Sequence, residues 1–438
     1  MPRFLTAILL AVTAALPCPA PALAQAEPQA TAANETAFDM RAGQLVALLN
    51  GQLAYNDYFA PKFQQAVSEA QFRGIAANLV AQYGAVVALD AVETSDGRTG
   101  TVKLRFEKGT GTIALSVLPG GDRRVDGLFF RGFVMANDSF ESAAAELAAL
   151  PGRTGFLVAE LKGGEIEPIA SANADVAFAI GSTFKLYILD ELAAQIAAGT
   201  RKWSDVVPLT HLSFSSAATA NWPKDTPVTL QTLANWMISV SDNGATDTLI
   251  HLLGRDAIEA RMRATGHSDP SRNIPLLTTV EAFAPKGNKF GDLRAEFLAS
   301  DDEAQRRLLD ANRSRLVLAN VDGASFGGNP RFIDSLEWFA TPRDLARVLA
   351  DIKGQNSPQA MAAMTINKGV APAAAADWSY LGYKGGSELG VLSMSLLGQR
   401  QADGKWFVVT ASWNNPDADV AAETLSGLAT RLLALAVK

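Results

Sequence analysis

The stretch AIGSTFKLYIL, residues 179–189, carries a single lysine in a run otherwise apolar enough to be core. An ammonium group leaves water only at considerable cost unless a partner compensates, so Lys185 needs a reason to be there. Read as a helix from Ser182, the stretch puts Ser182 and Lys185 on one face, about 5–6 Å apart between Cβ atoms, within reach of each other. A serine is a poor nucleophile until a base removes its proton, and a lysine is such a base only when neutral. Lowering a lysine from about 10.4 to about 7 costs about 4–5 kcal/mol, which an apolar site with a second cation nearby can impose. A lone S-x-x-K is far more often a helix cap with a lysine reaching out to solvent.

Two further segments change that balance. In MISVSDNGATDTL, residues 237–249, Ser241 and Asn243 lie at the end of an amphipathic helix and offer a hydroxyl to relay a proton and an amide to orient a carbonyl. By itself, S-D-N is a common turn. In YKGGSELG, residues 383–390, Lys384 supplies the second cation on a strand, and Gly385 and Gly386 permit a substrate backbone to approach closely. The chain around them reads as a helix over 139–150, a hairpin of 155–161 with 165–171, the helix from Ser182, and a long helical middle. Strands at 380–388, 390–398 and 406–413 and a helix over about 418–437 complete it. That order predicts an α/β sandwich, one antiparallel sheet flanked by helices.

With S-x-x-K at 182–185, S-D-N at 241–243 and K-G-G at 384–386, the sequence resembles the class A β-lactamases and penicillin-recognising serine hydrolases. The likeness covers roughly 139–438 and includes ATPRDLARVL, residues 340–349, where Thr341 caps a helix, Pro342 opens it and Gly354 ends it. With the unit that precedes it, the chain resembles the two-domain β-lactamase-like protein of clavulanic acid gene clusters and its secreted relatives. The resemblance implies a covalent acyl-enzyme formed on an amide or ester substrate, a small molecule or a peptide. Ser182 would be the nucleophile, Lys185 its base, Ser241 the relay to the leaving group and Lys384 the source of the electrostatic field. Asn243 would hold the acyl amide, and the N–H groups of Ser182 and Ser387 would form the oxyanion hole, with Gly386 and Tyr383 on the substrate-binding strand.

The pattern is also broken. Gly385 stands where the family carries Thr or Ser, so a hydroxyl for a substrate carboxylate is missing, and Ser387 is the candidate to replace it. No E-x-x-x-N string supplies the deacylating carboxylate. Glu281, in NIPLLTTVEAFAPKG (residues 273–287), is the candidate deacylation base; the alternative is an exposed or salt-bridged surface glutamate. Both departures favour weak β-lactamase or esterase activity, and leave open a non-catalytic or single-turnover binder of β-lactams or cell-wall peptides. The extra length around 286–318, where Ser300 and Glu303 read as a capping box, is a lid or a plain surface insertion.

Other chemistries fit less well. Gly323 to Gly327 matches G-x-S-x-G, but Pro330 follows closely and His211, His251 and His267 all precede Ser325, the wrong chain order for a nucleophile elbow. Those histidines show no zinc-site spacing, so neither metal nor cofactor is expected.

The 438 residues, 48% hydrophobic and 19% charged, are enough for two or three cores. Arg3, the apolar run 4–16 and Ala22-Leu23-Ala24 read as a secretory signal peptide over 1–24, too short to span a bilayer comfortably. Cleavage there removes Cys18, the one cysteine, and with it disulfide and thiol chemistry; net charge moves from -7 to -8, because Arg3 is the one charge lost. A periplasmic or secreted protein is expected, a monomer or homodimer with no stable membrane anchor and no basic run to hold nucleic acid. After a flexible lead-in over 25–36, helical spacing to about 83 gives way to alternating strands at 101–107, 112–118 and 125–130. This small α+β domain, 37–136, resembles the cone-shaped fold of nuclear transport factor 2, steroid isomerases and cystatins. The β-lactamase-like domain follows over 137–438.

Overall fold

A computed structural model describes residues 36–372 and 374–437. The expected signal peptide with Cys18, and all but the last residue of the expected lead-in, lie outside the described residues.

The N-terminal unit opens with helix α1 (Ala37–Leu49), started by a reciprocal cap in which Thr36 and Asp39 satisfy each other's backbone N–H. Two short helices follow, then α2 (Glu69–Tyr83), capped by Ser68 and Gln71 and stopped at Gly84, whose φ of +78° glycine tolerates best. Four antiparallel strands pair in chain order: β1 (Val86–Thr94), β2 (Thr99–Phe106), β3 (Gly109–Val117) and β4 (Val125–Met135). Every second residue of β3 is buried, and Leu104, Ile113 and Val125 close over Phe38, Leu45 and Phe72 from the helices. The sequence reading began this sheet at 101 and missed β1. The reason is physical: irregularities at Val86/Ala88 and Leu89/Ala91 break the period of two that identifies a strand.

The second unit begins with α3 (Phe140–Ala148) and the hairpin β5 (Arg153–Lys162) and β6 (Glu165–Ala172). A single 3₁₀ turn, Gly181–Phe184, leads into α4 (Lys185–Ala197), so the helix expected from Ser182 starts with a tighter turn. Next come α5 (Leu230–Ser239), α6 (Asn243–Leu253), α7 (Thr279–Lys286), α8 (Asp302–Ala311) and α9 (Pro342–Gly354). The chain ends in β7 (Trp378–Glu388), β8 (Val391–Arg400), β9 (Trp406–Asn414) and α10 (Ala422–Leu435).

These strands form one antiparallel sheet in the order β7-β8-β9-β5-β6, which leaves β7 at an edge. The first eight residues of β8 are all buried, because both faces of the sheet are covered. On one face Leu397 and Val408 meet Leu186 and Leu189 of α4 and Leu345 of α9; on the other Leu396 and Val409 meet Leu147 of α3 and Leu428 and Leu432 of α10. This is the class A-like sandwich the sequence predicts, preceded by a separate α+β region.

One detail differs from expectation. Asp301, not Ser300, caps α8, accepting from Ala304 N at 2.8 Å, while the Ser300 hydroxyl turns back to Glu296 O at 2.7 Å. The extra length around 286–318, read as a lid or a plain surface insertion, contributes no residue to the cleft that Ser182 lines, and Arg306 ties it to Asp256 and Glu259 on the flank.

Candidate active site

The turn that carries Ser182 is pinned on three sides before any chemistry is considered. Asn414 of β9 grips Ala179 twice, accepting from its N–H at 2.8 Å and donating to its carbonyl at 2.9 Å. Ile180 N donates to Trp338 O at 2.9 Å, and the ring of Trp338 stacks on Phe184 at 3.9 Å between centroids. Gly181, at φ +47°, makes the corner. Because a 3₁₀ turn has three residues per turn, side chains at 182 and 185 fall in line.

Strand β7 runs against the backbone of this turn. A Cβ on Gly386 would stand 2.0 Å from Ile180 O and 2.7 Å from Ser182 N; one on Gly181 would stand 3.1 Å from Ser387 N. At Gly386 the close approach is made by the protein's own chain, while Gly385 and Gly386, expected to let a substrate backbone approach, both line the cleft. The close approach brings the N–H groups of Ser182 and Ser387 side by side.

Ser241 lies in the left-handed region, φ +58°, between α5 and α6. Asp242 caps α6 and accepts four hydrogen bonds, from Ala245 N, Ala218 N, Thr219 N and the Thr219 hydroxyl, all at 2.7–2.8 Å. The middle residue of S-D-N is thus a fastener that holds the 215–219 loop, a role the sequence reading did not assign.

Lys185 is fully buried and donates to Ser241 O and Asn243 Oδ1, both at 2.6 Å, with Ser241 Oγ at 3.2 Å. Asn243 Nδ2 donates to Phe214 O at 2.7 Å, which fixes the amide with its oxygen toward the lysine. Burial pushes Lys185 well below the ordinary lysine range, the charge of Lys384 adds to this, and Asp247 and Asp242 oppose it. Lys384, 2 % exposed, donates to Ser241 Oγ at 3.0 Å and to Gly385 O, and burial lowers it to about 7. A neutral Lys185 has two N–H groups for the two short contacts and a lone pair left over. The Ser182 hydroxyl, half-buried, makes no hydrogen bond among the described residues.

A cleft of about 640 Å³ opens over these groups, lined by Ser182, Ser241, Asn243, Tyr383, Lys384 and Ser387 among others. Phe283, Ser215 and Ser216 form part of its wall. Among the described residues that line it, none is Asp, Glu or His. Glu281 is not in this wall. It caps α7, accepting from Thr278 N at 2.8 Å, and both its oxygens take Arg255 Nη2 at 2.8 Å, the salt-bridged alternative of the sequence reading. Ser325 sits in a 3₁₀ turn with its hydroxyl on Asp322, His211 stacks on His251, and buried His267 bonds Phe339 O.

The fold and its motif-bearing turn define a serine-hydrolase type of protein with a class A-like architecture. The sequence profile of the Beta-lactamase enzyme family matches residues 139–367, and the chain belongs to that family. Among solved structures it is similar to the β-lactamase from Sphaerobacter thermophilus DSM 20745, at 21% identity over 68% of this chain and 98% of that one, with a TM-score of 0.48. The β-lactamase from Chitinophaga pinensis DSM 2588 matches at 15% identity over 68% and 97%, TM-score 0.46; the structure of PBP-A matches at 15% over 67% and 94%, TM-score 0.46. No curated protein matches the chain.

Proposed function

We propose that the protein is a serine hydrolase that forms an acyl-enzyme at Ser182 on amide or ester substrates, with weak β-lactamase or esterase turnover. The observation that carries this reading is a buried lysine at 185 with no carboxylate partner, held against the S-D-N turn. Neutral Lys185 takes the Ser182 proton as Oγ attacks the acyl carbon. The carbonyl oxygen gains the charge and is met by the N–H groups of Ser182 and Ser387, a donor of this kind being worth about 3–4 kcal/mol. The proton passes from Lys185 through the Ser241 hydroxyl to the leaving nitrogen or oxygen, and the charge of Lys384 favours that hydroxyl as donor. One Asn243 N–H remains after Phe214 O is served, and it holds the acyl amide.

Hydrolysis of the acyl-enzyme needs a base for water, and the described residues of the cleft lining offer no carboxylate or imidazole. This supports slow deacylation, and equally a second reading as a single-turnover binder of β-lactams or cell-wall peptides. Intact mass spectrometry after incubation with penicillins, cephalosporins and p-nitrophenyl esters tests both. The proposal expects an acyl adduct that disappears in Ser182→Ala and decays slowly; a binder retains one equivalent with no turnover; no adduct would contradict both.

The division at about 136, export to the periplasm or medium, and a monomeric or homodimeric state are part of the same proposal. No helix among the described residues is long and apolar enough to cross a membrane. The N-terminal unit has no catalytic role in this reading. It lies beside α10, where Gln82 Nε2 stands 4.0 Å from the place of a Cβ on Gly427, and the start of α10 lines the cleft.

A further inference from the structure

Strand β7 lies at the edge of its sheet, and its two faces look onto different surroundings. Side chains alternate along a strand, so Lys384 and Gly386 face the Ser182 turn. Tyr383, Gly385 and Ser387 face α10, together with Met394 and Leu392, which pair with Gly385 and Ser387 on β8. Residues of both faces line the one cleft. The cleft therefore turns round the free edge of β7 and continues behind it, as far as Ala422, Leu425 and Ser426 at the start of α10. Two glycines make this turn possible, because at 385 and 386 only main chain separates the Ser182 side from the arm behind.

The walls of the arm are apolar. Leu392, Met394 and Leu425 are buried side chains of the core on that face, the Tyr383 ring lies among them, and exposed Val240 forms a lip. Lys384, on the opposite face, is the one charged residue among the described residues that line the cleft. A carboxylate entering the arm loses water and finds no cation to replace it, whereas a hydrocarbon group gains by leaving water. The lip also gives a direction. Val240 precedes Ser241 and Tyr383 precedes Lys384, the two residues joined at the relay hydroxyl by a hydrogen bond of 3.0 Å. Asn367, which donates to Ser239 O at 3.2 Å, bounds the same mouth. The arm thus opens beside the group that hands a proton to the leaving atom.

We propose that the arm behind β7 is a leaving-group pocket for an uncharged apolar substituent, which makes esters or amides of neutral apolar alcohols and amines the preferred substrates. This rests on the acyl-enzyme reading above and narrows it: the hydroxyl missing at Gly385 is matched to a substrate that carries no carboxylate there.

The test uses the full chain and the acetate esters of meta-hydroxybenzoate and of its butyl ester, leaving groups that differ in charge and apolar bulk. The rate of Ser182 acetylation is followed by intact mass and divided by each ester's rate with hydroxide. Wild-type protein prefers the butyl compound about tenfold or more, the gain from burying about two methylene groups. Ala422→Trp, at an exposed position that lines the arm, fills it and lowers the preference about fivefold. Ala422→Arg supplies a cation and brings the two esters to within about twofold of each other. Butyl meta-hydroxybenzoate, which has no acyl group to give, competes with p-nitrophenyl acetate for the wild-type site. Equal rates or a preference for the carboxylate in wild type, an unchanged preference in both Ala422 variants, or no competition by the butyl compound overturns the inference and leaves the acyl-enzyme reading standing. No acetylation of Ser182 by any of the esters sinks that reading and this inference together.

Discussion

Lys185 and Lys286 are buried alike, at 0 % and 1 % exposure, yet they are displaced in opposite directions. Around Lys286, desolvation pushes down but the carboxylates of Glu337 and Glu388, at 2.8 and 2.6 Å, outweigh it and hold the lysine above its ordinary range. Lys185 touches a carbonyl, an amide oxygen and a hydroxyl, makes no salt bridge, and feels the charge of another lysine, Lys384, more than those of Asp247 and Asp242. The first arrangement is a fastener: Lys286 joins the end of α7 to Glu337, next to the Trp338 that backs the nucleophile turn, and to Glu388, next to Ser387. The second holds an amine ready to accept a proton. The difference teaches that partner chemistry, not burial, separates a structural lysine from a reactive one.

The sharpest way to break this comparison is to remove the reactive groups. Ser182→Ala should show no acyl adduct, and Lys185→Ala should slow acylation about 10³–10⁴-fold in stopped-flow assays with p-nitrophenyl acetate. Gly386→Ala, whose Cβ collides with Ile180 O, should cost about 10²–10³ in the same assay by parting the two oxyanion donors. Urea unfolding then sharpens it. Lys286→Met strands two buried carboxylates and should cost about 3–5 kcal/mol, whereas Lys185→Met, which strands only neutral acceptors, should cost less, about 1–3 kcal/mol, while slowing acylation as much as Lys185→Ala. The reverse order of stabilities would end the comparison. The smallest effect belongs to Glu281→Gln, which should change nitrocefin turnover less than about threefold, keep the α7 capping box, and cost about 1 kcal/mol or less through the weakened pair with Arg255. Fast turnover abolished by that substitution would restore Glu281 as deacylation base.

How much could be read beforehand follows from where the information lies. Ser182, Lys185, Ser241, Asn243 and Lys384 were legible because each sits in a short local pattern of chemistry-bearing residue types. The strands β7 to β9 were legible as apolar runs between turns. What supports the site was not. Asn414 grips Ala179 across 235 positions, and Trp338 and Glu337 matter only through where the fold brings them. Nothing local marks Tyr383, whose phenolic oxygen stands 2.0 Å from the place of a Cβ on Gly385. Asp301 outcompeted Ser300 as the α8 cap because an aspartate one position later fits the same turn, a shift of one residue that sequence patterns rarely resolve.

The central claim is that Ser182 is activated by a neutral Lys185 while Lys384 keeps its charge. Burial and the charge of Lys384 lower Lys185, burial lowers Lys384 to about 7, and repulsion acts on both amines; the account assigns the first proton lost on raising the pH to Lys185. The most direct measurement is the pH dependence of the single-turnover acylation rate of Ser182. The account predicts a bell whose rising limb, from Lys185, lies far below the ordinary lysine range, and whose falling limb, from Lys384, lies at about 7. A rate that keeps climbing to about pH 10.4, the value of an unperturbed lysine, would contradict it.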